Sequence, residues 1–177
     1  MKKHNFSAGP SILPKEVIEG AAKAVIELDN IGLSLIEISH RSKEFIAIME
    51  EACQRALQVL NLENKGYKAM FLQGGASLQF LMAAYNLLEN QAGYVNTGTW
   101  STKAIKEAKL FGEVTELASS KEDNFNYIPK DYDIPTGLDY VHLTTNNTIF
   151  GTQFKKIPTS DASLVADMSS DIFSREF

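Results

Sequence analysis

Short apolar segments alternate with helical segments from about residue 66 onward, and this alternation restricts the folds that the chain can adopt. A helix is predicted after each of the first two apolar segments, and the second helix covers Trp100–Phe111. Strands that alternate with helices and short turns form a parallel sheet covered by helices. The fold class is therefore predicted to be α/β, with a mostly parallel sheet flanked by helices. The predicted strands are Tyr67–Leu72, Gly93–Asn96, Val114–Leu117, Tyr140–Thr144 and Ser163–Asp167.

The part of the chain before residue 63 is predicted to be mostly helical. Apolar residues recur at helical spacing over Pro14–Asn30, and Ser42 is a suitable N-cap for a second helix. The only cysteine, Cys53, falls on the apolar face of that second helix and is predicted to be a core thiol. The chain is thus divided into an N-terminal segment (1–14), a helical segment (15–62) and an α/β domain (63–177).

The composition argues against several classes of function. There are 22 acidic and 17 basic residues, and the resulting net charge of −5 does not favour a nucleic-acid-binding surface. A single cysteine allows no intrachain disulfide and fits a reducing compartment. The most apolar segment, about Phe71–Leu88, contains too many polar side chains for a membrane span. We therefore expect a cytoplasmic protein that binds neither nucleic acid nor a membrane.

The loops that follow the predicted strands contain the residues best suited to chemistry. This is expected for a parallel sheet, whose ligands bind beyond the carboxyl ends of its strands. The first such loop is Gln73–Ser77, which has two glycines and opens a helix. Backbone N–H groups at a helix N-terminus bind phosphate readily. A tight turn between a strand and a helix also needs glycine, so this loop alone indicates either a phosphate site or a plain turn.

Two further loops offer an aromatic ring and a hydroxyl group. Trp100, the only tryptophan, lies at a helix start within Thr97–Ser101, where it could stack on a planar cofactor or pack in the core. Thr148 lies in the polar turn Asn146–Gly151 and could donate a hydrogen bond to a ligand, although such a turn needs no ligand to explain it.

Charged residues supply the last candidates. Asp167 ends an apolar strand, where a carboxylate is costly unless it pairs with a cationic ring nitrogen or a metal ion, or is satisfied by structural hydrogen bonds. The three histidines, His4, His40 and His142, are scattered, so no metal site is predicted. Arg41, beside His40, suits the capture of a carboxylate or phosphate, or is simply a solvated surface charge.

The combination of these loops is more specific than any one of them. A phosphate-sized turn, an aromatic ring, a hydroxyl-bearing turn and a strand-end aspartate follow one another on one predicted sheet. Pyridoxal 5'-phosphate (PLP) has a phosphate, a flat ring, a phenolic oxygen and a pyridine nitrogen, which match these four features. PLP is therefore the predicted cofactor.

Longer motifs are distributed over the whole chain: Asn5–Pro10, Ile38–Phe45, Gly74–Phe80, Gly98–Ser101 and Ala166–Asp171. Together they resemble the phosphoserine aminotransferase family, a group of class-V, fold-type-I, PLP-dependent enzymes. Within class V, the sequence His40-Arg41 followed by Glu44-Phe45 distinguishes this family. The resemblance implies a fold-type-I large domain, mostly a parallel sheet flanked by helices, over residues 63–177.

The resemblance also implies a reaction. Enzymes of this family interconvert 3-phosphohydroxypyruvate plus L-glutamate with O-phospho-L-serine plus 2-oxoglutarate, in serine biosynthesis and, by analogy, in pyridoxine biosynthesis. They are homodimers with active sites at the subunit interface.

Roles for cofactor-binding residues follow from the positions that match the family motifs. Ala76 and Ser77 would contact the cofactor phosphate through the helix N-terminus, and Ser77 stands where some members have arginine. Trp100 would stack on the pyridine ring, and Thr148 would hydrogen-bond the phenolic oxygen. Asp167 would pair with the pyridinium nitrogen and keep it protonated.

Substrate binding and the catalytic lysine are implied in the same way. Arg41 would hold a substrate carboxylate, and His40 would help to recognise phosphate or carboxylate. The Schiff-base lysine of the family follows the aspartate motif and is expected beyond Phe177, since Lys155 and Lys156 match no family lysine. No catalytic residue is thus expected in this chain.

The expected identity is therefore the N-terminal half of the enzyme. Its C-terminal small domain would be absent, and the chain alone would be inactive. A non-catalytic cofactor-binding or dimerisation fragment, and another class-V aminotransferase, are the alternatives.

Overall fold

The computed structural model describes residues 3–175, which divide into two compact units. The first unit comprises residues 3–71 and the second comprises residues 72–175. Residues 1 and 2 of the predicted N-terminal segment, and residues 176 and 177 of the predicted α/β domain, lie outside the described residues. Between residues 3 and 175, no helix has both the length and the apolar character needed to cross a membrane.

Two helices, α1 (Lys15–Ile26) and α2 (Lys43–Val59), form the regular part of the first unit. Helix α1 begins after Pro14, close to its predicted start, but ends before the predicted boundary at Asn30. Both Asp29 and Asn30 have positive φ, a left-handed conformation that Asp and Asn tolerate but that a right-handed helix cannot include. The helix is therefore one turn shorter than its apolar pattern predicts.

The start of α2 is confirmed at the residue predicted to cap it. Ser42 is the N-cap, and its Oγ accepts a hydrogen bond from the backbone N–H of Phe45 over 3.3 Å. The apolar face of α2 is not fully covered, because no residue of the helix is buried. Cys53 is half-buried, so the predicted core thiol is only partly shielded from solvent.

A parallel four-stranded sheet forms the centre of the second unit and confirms the predicted α/β class. The strands of this unit are β1 (Gln91–Asn96), β2 (Glu113–Ser119), β3 (Tyr140–Thr144), β4 (Asn146–Asn147), β5 (Thr152–Gln153) and β6 (Ser163–Asp167). The order across the parallel sheet is β2-β1-β3-β6. Strands β4 and β5 form a separate antiparallel pair.

Two helices and a short 3₁₀ turn complete the second unit. Helix α3 (Gly75–Leu87) precedes β1, and helix α4 (Thr99–Ala108) connects β1 to β2. The α4 helix ends three residues before the predicted boundary at Phe111. The 3₁₀ turn Lys121–Asp123 follows β2.

The prediction of a strand over Tyr67–Leu72 is wrong, because this segment has no regular secondary structure. All four strands of the parallel sheet come from residues 91–167 and pair with one another. Tyr67, Met70 and Phe71 are 60–70% exposed. An apolar segment becomes a strand only where a neighbouring strand completes its hydrogen bonds and covers its side chains.

The two faces of the sheet pack into separate apolar clusters. Because side chains alternate along a strand, Ala92 and Tyr94 pack with residues of α3 and α4, whereas Val95 and Leu143 belong to the cluster on the opposite face. On the helical face, the buried hydroxyl groups of Tyr94 and Tyr140 are 2.7 Å apart. This packing fixes three strands, β1, β3 and β6, with their carboxyl ends at one edge of the sheet.

Candidate functional site

A cavity of about 320 Å³ lies where the first turns of α3 meet the carboxyl-terminal parts of β3 and β6. Its volume is at the lower end of the range for small-molecule sites. Ala76 from α3, His142 from β3 and Asp167 from β6 all line it. The cavity thus brings together two of the predicted cofactor-binding residues, which are 91 positions apart in the sequence.

The first turn of α3 borders this cavity at Ala76 and carries unpaired backbone donors. Gly74 and Gly75 both have positive φ, so the turn before the helix requires glycine at two successive positions. No side chain caps the helix at Gly74, and the N–H groups of its first turn have no intrahelical partner. Ala76 is half-buried at the cavity, whereas the Ser77 side chain is exposed. The Gln73–Ser77 loop can therefore bind an anion through its backbone.

Asp167 ends β6 opposite Thr144 of β3. Its Oδ1 atom accepts hydrogen bonds from the backbone N–H and the hydroxyl of Ser169, over 3.1 and 2.6 Å. Within residues 3–175, no hydrogen bond reaches the Oδ2 atom. The carboxylate is half-buried and held by its own turn, and one of its oxygens stays available as an acceptor.

The structure also brings Trp100 and Thr148 into contact. The indole Nε1–H of Trp100 donates to Thr148 Oγ1 over 3.4 Å, and this bond joins the start of α4 to the turn after β4. Trp100 is half-buried and packs against the helical-face cluster, as Ala76 does. Lys103 Nζ lies 4.5 Å from the centroid of the indole ring, in cation–π geometry.

A buried polar network holds these two turns together. Ser101 Oγ donates to Asn96 Oδ1 over 3.0 Å and accepts the backbone N–H of Gly98 over 2.9 Å. Asn147 Nδ2 donates to the carbonyl oxygen of Thr97, which joins the turn after β1 to the strand before Thr148. The sequence pattern alone does not predict this network. The one sequence feature that could have indicated the network is an asparagine at the end of β1, Asn96, and another shortly after β3, Asn147.

His142 also lines the cavity, although the sequence pattern does not predict it as a site residue. It is 2% exposed, its ring stacks on Tyr94 at 4.8 Å between centroids, and it meets the Phe80 ring edge-on at 6.1 Å. Burial lowers the pKa of His142 to about 4, partly opposed by the negative charge of Asp167. The imidazole is therefore neutral at pH 7.

The two predicted substrate-binding residues lie in the first unit. His40 and Arg41 are exposed in the turn before α2, and Arg41 Nε donates to His40 Nε2 over 3.4 Å. Neither residue lines the cavity, whose lining residues all belong to the second unit. No group of three or more His, Cys, Asp and Glu side chains in the described part of the chain could hold a metal ion.

Comparison with protein families and curated proteins gives consistent matches. A family model described as aminotransferase class-V matches residues 3–177. Phosphoserine aminotransferase from Flavobacterium johnsoniae is 61% identical over 178 aligned positions, and that from Bacteroides fragilis is 58% identical over 175. These alignments cover 99% of this chain but only 50% and 49% of the relatives. The chain thus spans about half the length of the curated relatives that it matches.

Solved structures resemble the chain over nearly its full length. A phosphoserine aminotransferase from Bacillus circulans subsp. alkalophilus aligns with a TM-score of 0.91 at 43% identity, covering 98% of this chain and 49% of that one. A PLP-bound phosphoserine aminotransferase from Trichomonas vaginalis aligns with a TM-score of 0.90 at 33% identity, covering 99% and 50%. The expected fold-type-I architecture is thereby confirmed.

Proposed function

The chain belongs to the class-V aminotransferase family, and from this membership we propose that the protein containing it is a phosphoserine aminotransferase that uses PLP. The reaction would be that of 3-phosphohydroxypyruvate with L-glutamate to give O-phospho-L-serine and 2-oxoglutarate. It serves serine biosynthesis and, by family analogy, pyridoxine biosynthesis. The observation that carries the proposal is the cavity lined both by the first turn of α3 and by Asp167.

The phosphate of PLP fits the N-terminus of α3. The first-turn N–H groups have no side-chain cap, and the helix dipole favours an anion at this end. We assign phosphate contacts to Ala76 and Ser77 through the backbone. The exposed Ser77 hydroxyl is a further donor within the same turn.

The ring of PLP fits the residues at the strand ends. Asp167 has an oxygen available to accept a hydrogen bond from a protonated ring nitrogen, because Ser169 occupies only Oδ1. Trp100 offers an indole face for stacking, and Thr148 offers a hydroxyl to the phenolic oxygen. The contact between these two residues would keep the stacking face and the hydroxyl in a fixed relation.

When bound, PLP supplies an electron sink for the electron pair left at the substrate Cα when its proton is removed. Asp167 has the largest part in this chemistry among the residues described. Its negative charge holds the proton on the ring nitrogen, and Ser169 orients the carboxylate from its other oxygen. The half-buried setting strengthens this charge pairing relative to bulk water.

We assign substrate binding to His40 and Arg41. A guanidinium group binds a carboxylate or phosphate through two parallel hydrogen bonds, and Arg41 is exposed and available for this. Neither Lys155 nor Lys156 is assigned the role of the covalent lysine. Both lie in the groove formed by residues 128–134 and 153–159, whose Phe154 belongs to the cluster on the sheet face opposite the helices.

The remaining assignments concern the whole protein. We propose a homodimer in the cytoplasm, where thiols stay reduced, in keeping with a sequence that has one cysteine. We also retain three segments, 1–14, 15–62 and 63–177, as a proposed description of its N-terminal, helical and large-domain parts.

The proposal is tested with the protein that contains this chain. Purified protein is incubated with PLP, L-glutamate and 3-phosphohydroxypyruvate, and O-phospho-L-serine and 2-oxoglutarate are measured together. We expect the two products in equal amounts. Asp167→Ala is expected to abolish their formation, whereas the matched surface variant Asp161→Ala is expected to retain it.

The same assay distinguishes the alternative functions. Activity with alanine or serine as amino donor, without activity on phosphoserine, would indicate another class-V aminotransferase. PLP binding without any transamination would indicate a cofactor-binding fragment. Either result would overturn the proposed reaction.

A further inference from the structure

His142 is a buried polar residue to which the proposed function assigns no task. Its Nδ1 atom is buried and has no hydrogen-bond partner among the described residues. The ring is held by the stack on Tyr94 and by the edge contact with Phe80, so it cannot turn away to reach solvent. An unpaired buried nitrogen costs free energy, and a buried position filled only for packing is better occupied by an apolar ring.

Strand register places His142 on the same face of the sheet as Asp167. His142 pairs with Val165 and Thr144 pairs with Asp167 in the parallel β3–β6 ladder. Since side chains two residues apart in a strand share a face, His142 and Asp167 are diagonal neighbours on the helical face. Strand spacing and rise put their Cα atoms about 8 Å apart. Both residues also line the same cavity.

The cavity between the two side chains has room and polar groups for a bridging water molecule. No direct hydrogen bond joins them in the described structure, and the space of about 320 Å³ exceeds the size of one water. The other imidazole nitrogen, Nε2, and the carboxylate oxygen Oδ2, which Ser169 leaves unbonded, are the polar groups that such a water would join. Oδ2 has two lone pairs, so it can accept from this water and from the cofactor nitrogen together. Two such partners are the minimum that an ordered bridging water needs.

We propose that His142 is a positioning residue for Asp167, and that its imidazole N–H supports the Asp167 carboxylate through one water molecule in this cavity. This inference rests on the proposed function, in which Asp167 pairs with the ring nitrogen of PLP. A hydrogen bond to the carboxylate limits its rotation. The imidazole therefore acts on the cofactor only through Asp167.

The neutral state of His142 is important for this role. A protonated imidazole would pair with Asp167 and compete with the cationic ring nitrogen for the carboxylate. A neutral imidazole donates one hydrogen bond and leaves the negative charge of Asp167 in place. The ionisable side chains on this face near His142 are Asp167 and the Tyr94 and Tyr140 pair, and burial raises the pKa of both tyrosines, so neither adds a charge.

The test compares two ligands that differ only at the ring nitrogen. PLP and its analogue with a C–H group in place of that nitrogen are titrated into the protein that contains this chain, with quenching of Trp100 fluorescence as the readout. The variants are His142→Phe, which keeps an aromatic ring against Tyr94, and His142→Gln, which keeps an N–H donor. Each is made alone and with Asp167→Asn, and circular dichroism checks that each folds.

We expect His142→Phe to weaken PLP binding about tenfold and to leave binding of the analogue within about twofold of wild type. His142→Gln should restore most of the affinity for PLP. With Asp167→Asn already present, His142→Phe should have no further effect on PLP, as expected for two groups acting through one contact.

Equal weakening of both ligands by His142→Phe would show a structural role and overturn the proposal, even if transamination remains measurable. Additive effects of His142→Phe and Asp167→Asn would overturn it as well. Failure of the wild-type protein to bind PLP would overturn the cofactor assignment and this inference with it. If His142→Phe does not fold, the ¹⁵N resonances of the His142 imidazole are compared between wild type and Asp167→Asn. We expect these resonances to shift in Asp167→Asn, and unchanged resonances would overturn the proposal.

Discussion

Trp100 and Thr148, which are 48 residues apart in the sequence, share a hydrogen bond of 3.4 Å between the indole Nε1–H and the threonine hydroxyl. The bond connects the only tryptophan with the hydroxyl that the proposed function assigns to the phenolic oxygen of PLP. The ring proposed to stack on the cofactor and the hydroxyl proposed to bond its phenolic oxygen are therefore positioned by each other. The buried contact between Asn147 and Thr97 holds the two turns beneath them.

Thr148→Val tests the role of this hydroxyl. The substitution keeps the size of the side chain and removes its donor and acceptor. We expect PLP affinity to fall about five- to tenfold, equivalent to one hydrogen bond of about 1 kcal/mol. Titration followed by Trp100 fluorescence measures the change. Thr159→Val, at an exposed position outside the cavity, is the matched control and should bind PLP as wild type does.

Gly98→Ala is expected to destabilise the second unit. A Cβ atom at this position would lie 2.8 Å from Asn147 Cγ, and the Asn147 side chain cannot move without losing its buried bond to Thr97. The expected loss in the free energy of unfolding is about 1–3 kcal/mol. Urea unfolding monitored by Trp100 fluorescence measures it. In an Asn147→Ala background the same change should cost less, and an equal cost in both backgrounds would contradict the steric explanation.

The hydroxyl pair of Tyr94 and Tyr140 should behave as one unit in a double-mutant cycle. Tyr94→Phe leaves the Tyr140 hydroxyl buried and unpaired, and we expect a loss of about 1–3 kcal/mol in the free energy of unfolding. Replacing both tyrosines by phenylalanine removes the pair together and should cost less than the sum of the single changes. Additive losses would contradict a direct bond between the hydroxyls.

Alkaline pH should destabilise the fold through the same two tyrosines. Burial raises the pKa of both residues above the ordinary value of 10.0, so the folded state keeps them protonated. Their contribution to stability is complete below pH 10 and is lost as the unfolded chain ionises above it. Unfolding free energies at pH 9 and pH 11 should therefore differ more for wild type than for the double phenylalanine variant.

Acidic pH should destabilise the fold through His142. Burial lowers its pKa from 6.5 to about 4, so between these values the unfolded chain binds a proton that the folded chain excludes. The contribution of this histidine is complete above pH 6.5 and is lost as pH falls, by up to about 3 kcal/mol near pH 4. Unfolding curves of wild type and His142→Phe over this range measure the difference. Parallel pH profiles would contradict the assignment.

The sequence was sufficient to predict the sheet and the positions of its ligand-binding loops. Strand β3 and strand β6 have the predicted bounds, because each is an apolar run between turn residues. Asp167 ends a strand that the sequence predicts correctly, and parallel-sheet geometry favours a ligand at such a strand end. The strand predicted before Ala76 is absent, so only the glycines of the Gln73–Ser77 turn indicated its position, and its meeting with Asp167 at a common cavity is seen only in the structure.

Other features depend on contacts that a linear pattern does not contain. The apolar segment Tyr67–Leu72 resembles a strand, but strand formation needs a partner, and the sheet is completed by other residues. His142 is one polar residue within an apolar strand, and only its register against β6 places it beside Asp167. The contact of Trp100 with Thr148 likewise joins two loops that no local pattern links.

The strand order β2-β1-β3-β6 has a consequence for synthesis of the chain. A ribosome adding about 5–20 residues per second needs roughly one to five seconds to extend from Thr144 to Asp167. The two central strands and β2 are therefore translated, together with α3 and α4, while the carboxylate at the end of β6 does not yet exist. The proposed contact between PLP and Asp167 can therefore form only after β6 has been synthesised and has paired with β3.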